Sequence, residues 1–164
     1  MIRVAGLNKN DMVNGEGVSV SLFLQGCPFH CKGCHNPETW DPKGGAQVDE
    51  FELIDTIIEA IQANGIQRNL SILGGEPLDT QAKIDFLNLL IRNVRHEFPN
   101  IKICLWTGFI WDDIKDKPEL KGIFDNIDYL IDGPFILSER DVTLKWRGSR
   151  NQKIRSMLQR RLSD

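Results

Sequence analysis

The run QGCPFHCKGCHNPETW, from Gln25 to Trp40, constrains this chain more than any other stretch. It holds three of the four cysteines, Cys27, Cys31 and Cys34, spaced C-x3-C-x2-C, while Cys104 lies far downstream in an apolar run. Thiolates this close, in a segment turned by Pro28 and Gly33, suit one polynuclear metal site. The spacing is too short for two zinc knuckles, and no second CxxC completes a tetrahedral zinc site. Ferredoxin runs carry four cysteines and satisfy the irons with protein sulfur. Three cysteines on a [4Fe-4S] cluster leave one iron open, and an open iron is a place for chemistry. Disulfide pairing among the three is the competing reading. It is disfavoured because MIRVAGLNKND shows no signal-peptide pattern and clustered cytoplasmic cysteines are metal or redox groups.

The pattern around this run is that of an α/β protein. Val18 to Leu24 is short and apolar and reads as a buried strand that delivers the chain into the cysteine loop. Ile2 to Leu7 reads as an edge strand, with turn signals from Asn8 to Gly17. Asp49 and Glu52 form a candidate capping box for a helix in which Phe51, Ile54, Ile57, Ile58 and Ile61 recur at helical spacing. Asn69 to Leu73 is the next strand, ending in GGEPL; Thr80 then caps a helix with Ile84, Leu87, Ile91 and Val94 on its core face. Ile101 to Trp106 and Ile127 to Ile131 are further strands, separated by short helical pieces broken at Pro118. Phe135 to Gly148 follows no period, and Gln152 to Leu162 reads as a final helix. Such alternation predicts a parallel sheet of right-handed βαβ units with helices outside, in a single domain over residues 1–164. A closed eight-fold barrel needs about 200 residues or more. An open partial (βα) barrel therefore fits the length, and a flavodoxin-like open sheet fits the pattern nearly as well.

Composition narrows the class. With 41% hydrophobic and 26% charged residues and no run of about 18 apolar ones, the expectation is a soluble, cytoplasmic domain with no membrane segment. The net charge of -3 is uneven: residues 140–164 carry eight Lys or Arg against two Asp. A solvated helix face or a docking surface for an anionic partner explains this, and nucleic-acid binding is not expected.

Gly74-Gly75-Glu76-Pro77 follows a strand, where glycines allow close backbone approach or positive φ, and Glu76 either contacts a charged ligand or orders the loop. Asp132 is either a ligand contact or a turn aspartate satisfied by backbone. Cys104 reads as a small buried hydrophobe, and His30 as a bystander between the cysteines. Ser149 or Asn151 caps the last helix, or the RGSRNQK run from Arg147 to Lys153 binds anions.

C-x3-C-x2-C resembles the cluster motif of radical S-adenosylmethionine (SAM) enzymes. The run from Gly15 to Trp40, with GGEP, WTG at Trp106 to Gly108, DGPF at Asp132 to Phe135 and RGSRNQK, resembles the activating enzymes of anaerobic (class III) ribonucleotide reductase. The resemblance implies the radical SAM type of partial barrel and a [4Fe-4S] cluster on Cys27, Cys31 and Cys34. SAM then chelates the open iron and is cleaved reductively to an adenosyl radical, which takes a hydrogen from a glycine of the reductase. Gly33, Cys34 and His35 are implied on the SAM side, His35 standing where the family has an aromatic residue against the adenine. Gly74, Gly75 and Glu76 are implied to receive the methionyl amino group, and Asp132 is a candidate contact to the SAM ribose or to the partner. The implied partners are the reductase and an electron donor such as flavodoxin. No catalytic residue beyond the cluster and SAM is called for. Activation of formate lyase or another glycyl-radical enzyme, a short radical SAM synthase and an iron–sulfur electron-transfer protein are the alternatives.

Overall fold

Strand residues alternate between two faces, and the sheet is organised by that alternation. The computed structural model describes residues 1–158. Its strands are β1 (Ile2–Asp11), β2 (Ser19–Leu24), β3 (Ala46–Val48), β4 (Asn69–Gly74), β5 (Ile103–Trp106), β6 (Tyr129–Asp132) and β7 (Lys153–Ser156). They form one sheet in the order β3-β1-β2-β4-β5-β6-β7. The central strands β2, β4, β5 and β6 run parallel, as the alternation predicts. The sheet as a whole is mixed, because β1, β3 and β7 pair antiparallel. A short return loop allows only antiparallel pairing, and residues 12–18 are such a loop between β1 and β2. β1 is accordingly an interior strand, and β3 takes the edge that the sequence pattern assigned to it.

Two long helices cover one face. Asp49 caps α1 (Glu50–Ile61), its carboxylate accepting from the Phe51 and Glu52 amides, both at 3.0 Å. Thr80 caps α2 (Gln81–Glu97). Between β5 and β6 lie the one-turn helices α3 (Trp111–Ile114) and α4 (Lys121–Phe124), separated by a tight turn at Pro118–Leu120. Val20, Leu22 and Leu24 of β2 and Leu70 and Ile72 of β4 share one core with Ile54, Ile57 and Ile61 of α1 and Leu87, Ile91 and Val94 of α2. Each fully buried side chain of this kind contributes about 1.5–3 kcal/mol. Phe51 departs from expectation. It is 68% exposed, and the buried stripe of α1 starts two residues later, at Leu53.

The intervening residues Phe23 of β2 and Leu73 of β4, with Trp106 of β5, point to the other face, where they line a cavity. The second departure is the C-terminal segment. Residues 153–156, expected as helix, form β7, pairing Asp132 with Lys153 through Tyr129 with Ser156. Two contacts draw the segment to the sheet: Arg155 Nε donates to Asp132 Oδ1 at 2.8 Å, and the Met157 amide to the Asp128 carbonyl at 2.8 Å. The rest of that expected helix, 159–162, lies outside the described residues. Among the described residues no helix is long and apolar enough to cross a membrane.

Candidate functional site

The cysteine loop is held at its root. The Gly26 and Cys27 amides donate to the Thr39 and Trp40 carbonyls at 2.6 and 3.1 Å. The Nε2 of the buried Gln25 side chain donates to the Glu38 and Asp41 carbonyls at 2.9 and 2.8 Å. Within the loop, the Cys34 amide donates to the Cys31 carbonyl at 3.0 Å and the Asn36 amide to Cys34 Sγ at 3.4 Å. Cys27, Cys31 and Cys34 are all unpaired thiols on a cavity of about 730 Å³. Burial pushes the Cys27 thiol up, against the opposing pull of the Phe29 amide. Among the described residues no group of three His, Cys, Asp or Glu side chains closes on a single-ion site. Three free, soft thiolate donors lining one cavity are the donor chemistry an iron–sulfur cluster takes.

The end of β4 lines the same cavity and packs against the root of the cysteine loop. Gly74 has φ +114°, and a Cβ there would lie 2.5 Å from the Leu24 nitrogen. A Cβ on Gly75 would lie 2.3 Å from the Gly26 carbonyl oxygen. The two glycines are therefore required by the approach of one backbone to another. The Gly75 and Glu76 amides complete that contact on the Leu24 and Gly26 carbonyls at 2.9 and 2.8 Å. Glu76 is 1% exposed. Its Oε1 accepts from the Gly108 amide at 2.7 Å, and Oε2 from the Thr107 hydroxyl at 2.7 Å and the Leu78 amide at 3.0 Å. Burial raises its carboxyl to about 7, although those donors pull the other way. Through these bonds Glu76 ties the turn after β4 to Thr107 and Gly108.

This arrangement gives Trp106-Thr107-Gly108 a part that the sequence alone does not supply. Thr107 and Gly108 bind Glu76, and the missing Cβ of Gly108 makes room for the Phe29 ring of the cysteine loop, which it would otherwise meet at 2.8 Å. Lys83, from the first turn of α2, is the other residue that sequence reading missed. Its Nζ donates to the Gly26 carbonyl at 3.0 Å, the Glu76 carbonyl at 2.9 Å and Asp79 Oδ1 at 2.8 Å. The available signal was a lysine one turn before Leu87 on an otherwise apolar stripe.

The structure brings Cys27, Cys31, Cys34, His35, Gly74, Gly75 and Glu76 to the same cavity; Gly33 and Asp132 are not among its lining residues. His35 meets the Phe135 ring edge-on, with centroids 5.5 Å apart, whereas His30 stacks on Trp40 at 4.7 Å. Gly33 has φ +80° and packs on Leu137 and Phe135. The Asp132 carboxylate is turned toward Arg155 and the Trp111 amide, each at 2.8 Å. Cys104 is 1% exposed on β5, and burial, with Asp128 adding to it, pushes its thiol up to about 12. Among the described residues Ser149 and Asn151 cap no helix. Ser149 Oγ accepts the Ile136 amide at 3.2 Å and Asn151 donates to the Pro134 carbonyl at 2.7 Å, so both brace the loop after β6. That loop lines the cavity together with Lys145, Trp146 and Arg147. Trp146 takes the left-handed φ of +59°, its carbonyl held by Trp106 Nε1 at 2.7 Å.

Fold and thiol set together define an iron–sulfur protein class: the family model described as a 4Fe-4S single cluster domain matches residues 13–155. Relatives named anaerobic ribonucleoside-triphosphate reductase-activating protein are similar over most of the chain. Those of Vibrio cholerae and Haemophilus influenzae are 38% and 37% identical over 145 residues, covering 88% of this chain and 91% of theirs. That of Escherichia coli K12 is 36% identical, covering 88% and 92%. The chain belongs to this family of activating proteins.

Proposed function

We propose that this chain is a radical SAM activase that generates a glycyl radical on anaerobic ribonucleotide reductase by hydrogen abstraction from a glycine. When bound, a [4Fe-4S] cluster with SAM on its open iron supplies the reductive cleavage of SAM, and through it the abstraction. Cys27, Cys31 and Cys34 would hold three of its irons, and the Gly74-Gly75 backbone would receive the amino end of SAM. His35, braced by Phe135, offers a flat wall for the adenine, with Gly33 and Cys34 beside it. Glu76 holds this loop in place, and Asp132 serves the site through the strand end that it ties to Arg155. The apolar surfaces of Phe23, Phe29, Leu73 and Trp106 keep water from the reacting end. In this reading the sheet is an open partial barrel, residues 1–164 form one radical SAM domain, and the reductant is a flavodoxin-like protein of the cytoplasm.

One observation carries the reading: three free thiols share a cavity with the glycine loop that ends the adjacent parallel strand. The test is electron paramagnetic resonance on an anaerobic mixture of reconstituted protein, SAM, reductant and the reductase of the same genome. A glycyl doublet that needs all four components is expected. SAM cleavage without a doublet moves the search to formate lyase or a small-molecule substrate. No cleavage at all leaves electron transfer.

A further inference from the structure

Lys83 is 7% exposed and donates three hydrogen bonds, to two loop carbonyls and one carboxylate. A cation in the first turn of a helix opposes the positive end of the helix dipole. Desolvating an ammonium is costly unless every donor is matched. The position is thus unfavourable by local rules, and the compensation lies entirely in what the side chain joins. Gly26 immediately precedes Cys27, and Glu76 ends the Gly74-Gly75 turn. The Gly26 carbonyl accepts both Lys83 Nζ, at 3.0 Å, and the Glu76 amide, at 2.8 Å. A Cβ on Gly26, which has φ +98°, would stand 3.2 Å from that Nζ, so the ammonium sits directly against the root of the cysteine loop. Asp79 holds the ammonium from its outer side, four residues earlier in the chain.

We infer that Lys83 is a positioning residue of the site: its ammonium fixes the distance between the backbone leading into Cys27 and the turn at Gly74–Glu76. It touches neither reacting atom nor cysteine sulfur and acts through the Gly26 and Glu76 carbonyls. This rests on the functional reading above only for its kinetic consequence; the geometric one stands on the protein without a cluster.

Two measurements on Lys83→Met test it. In the full chain prepared anaerobically without metal, Cys27 should be alkylated by iodoacetamide about tenfold faster than in wild type, relative to Cys34 in the same molecule, the size expected for losing bonds from a charged donor. Cys104 should stay unmodified, reporting that the fold is intact. In the reconstituted protein KM for SAM should rise about tenfold with kcat within about twofold, a split that a general loss of folded protein does not produce. If Lys83→Met exposes Cys104, Lys83→Gln, which keeps two N–H donors of the three, replaces it, with a smaller shift of the same sign expected. Wild-type Cys27 reactivity and wild-type KM in a folded variant overturn the inference. A wild-type protein that cleaves no SAM overturns the functional reading instead and leaves the thiol measurement to decide Lys83.

Discussion

The α-carbon of Gly75 lies so close to Gly26 that a single added methyl group would stand 2.3 Å from the Gly26 carbonyl oxygen. Neither partner can yield easily, since Gly26 is pinned to Thr39 and Glu76. Gly75→Ala should therefore push the β4 turn away from the cysteine loop. Overpacking against backbone costs about 1–3 kcal/mol. The midpoint of urea unfolding should drop accordingly, and SAM cleavage should fall by more than tenfold.

The thiols divide by location. Replacing Cys27, Cys31 or Cys34 by Ala should each abolish stable incorporation of iron and sulfide, because each removes one donor from the shared cavity. Cys104→Ala should leave both intact and cost about 1 kcal/mol of stability, the scale for removing one small buried group. Iron and inorganic sulfide analysis after anaerobic reconstitution checks the set. Loss of the cluster in Cys104→Ala with retention in Cys31→Ala would reverse the assignment.

Glu76 makes stability depend on pH. Its folded-state value, about 7, lies above the ordinary 4.5, so the folded chain holds this proton more tightly than the unfolded one. The resulting stabilisation is complete below about pH 4.5 and is lost as pH rises through about 7. The shift corresponds to roughly 3 kcal/mol. Glu76→Gln should flatten the slope of stability between pH 5 and about 7, measured by urea unfolding of the metal-free chain.

Asp132 faces away from the cavity toward Arg155 and the Trp111 amide. Asp132→Asn should cost about 1–3 kcal/mol by weakening a buried charged contact. KM for SAM should stay within about twofold. A KM rise without a loss of stability would move Asp132 into the ligand site.

Much of this was legible in the chain. The strand leading into the cysteine loop, the Asp49 and Thr80 caps and the apolar stripe of α2 follow from local patterns, since each depends on residues within a few positions of one another. What could not be read depended on partners far along the chain. β7 forms because Arg155 meets Asp132 and the Met157 amide meets Asp128. The four residues Lys153-Ile154-Arg155-Ser156 are too few to carry a period that would announce those partners. Likewise GGE reads as a ligand loop, yet Gly74 and Gly75 answer first to the backbone of Leu24 and Gly26. Thr107 and Lys83 became meaningful only once three loops met.

The clasp on Glu76 has a thermodynamic corollary. A thiol loop disordered without iron would spend part of the metal's binding energy on ordering itself, as small zinc modules do. Here the root of that loop is already stitched to Thr39, Trp40 and Glu76 by the chain itself. On the proposed function, assembly of the cluster then asks little further ordering of the polypeptide, and a chain without the cluster keeps the root of its cysteine loop in place.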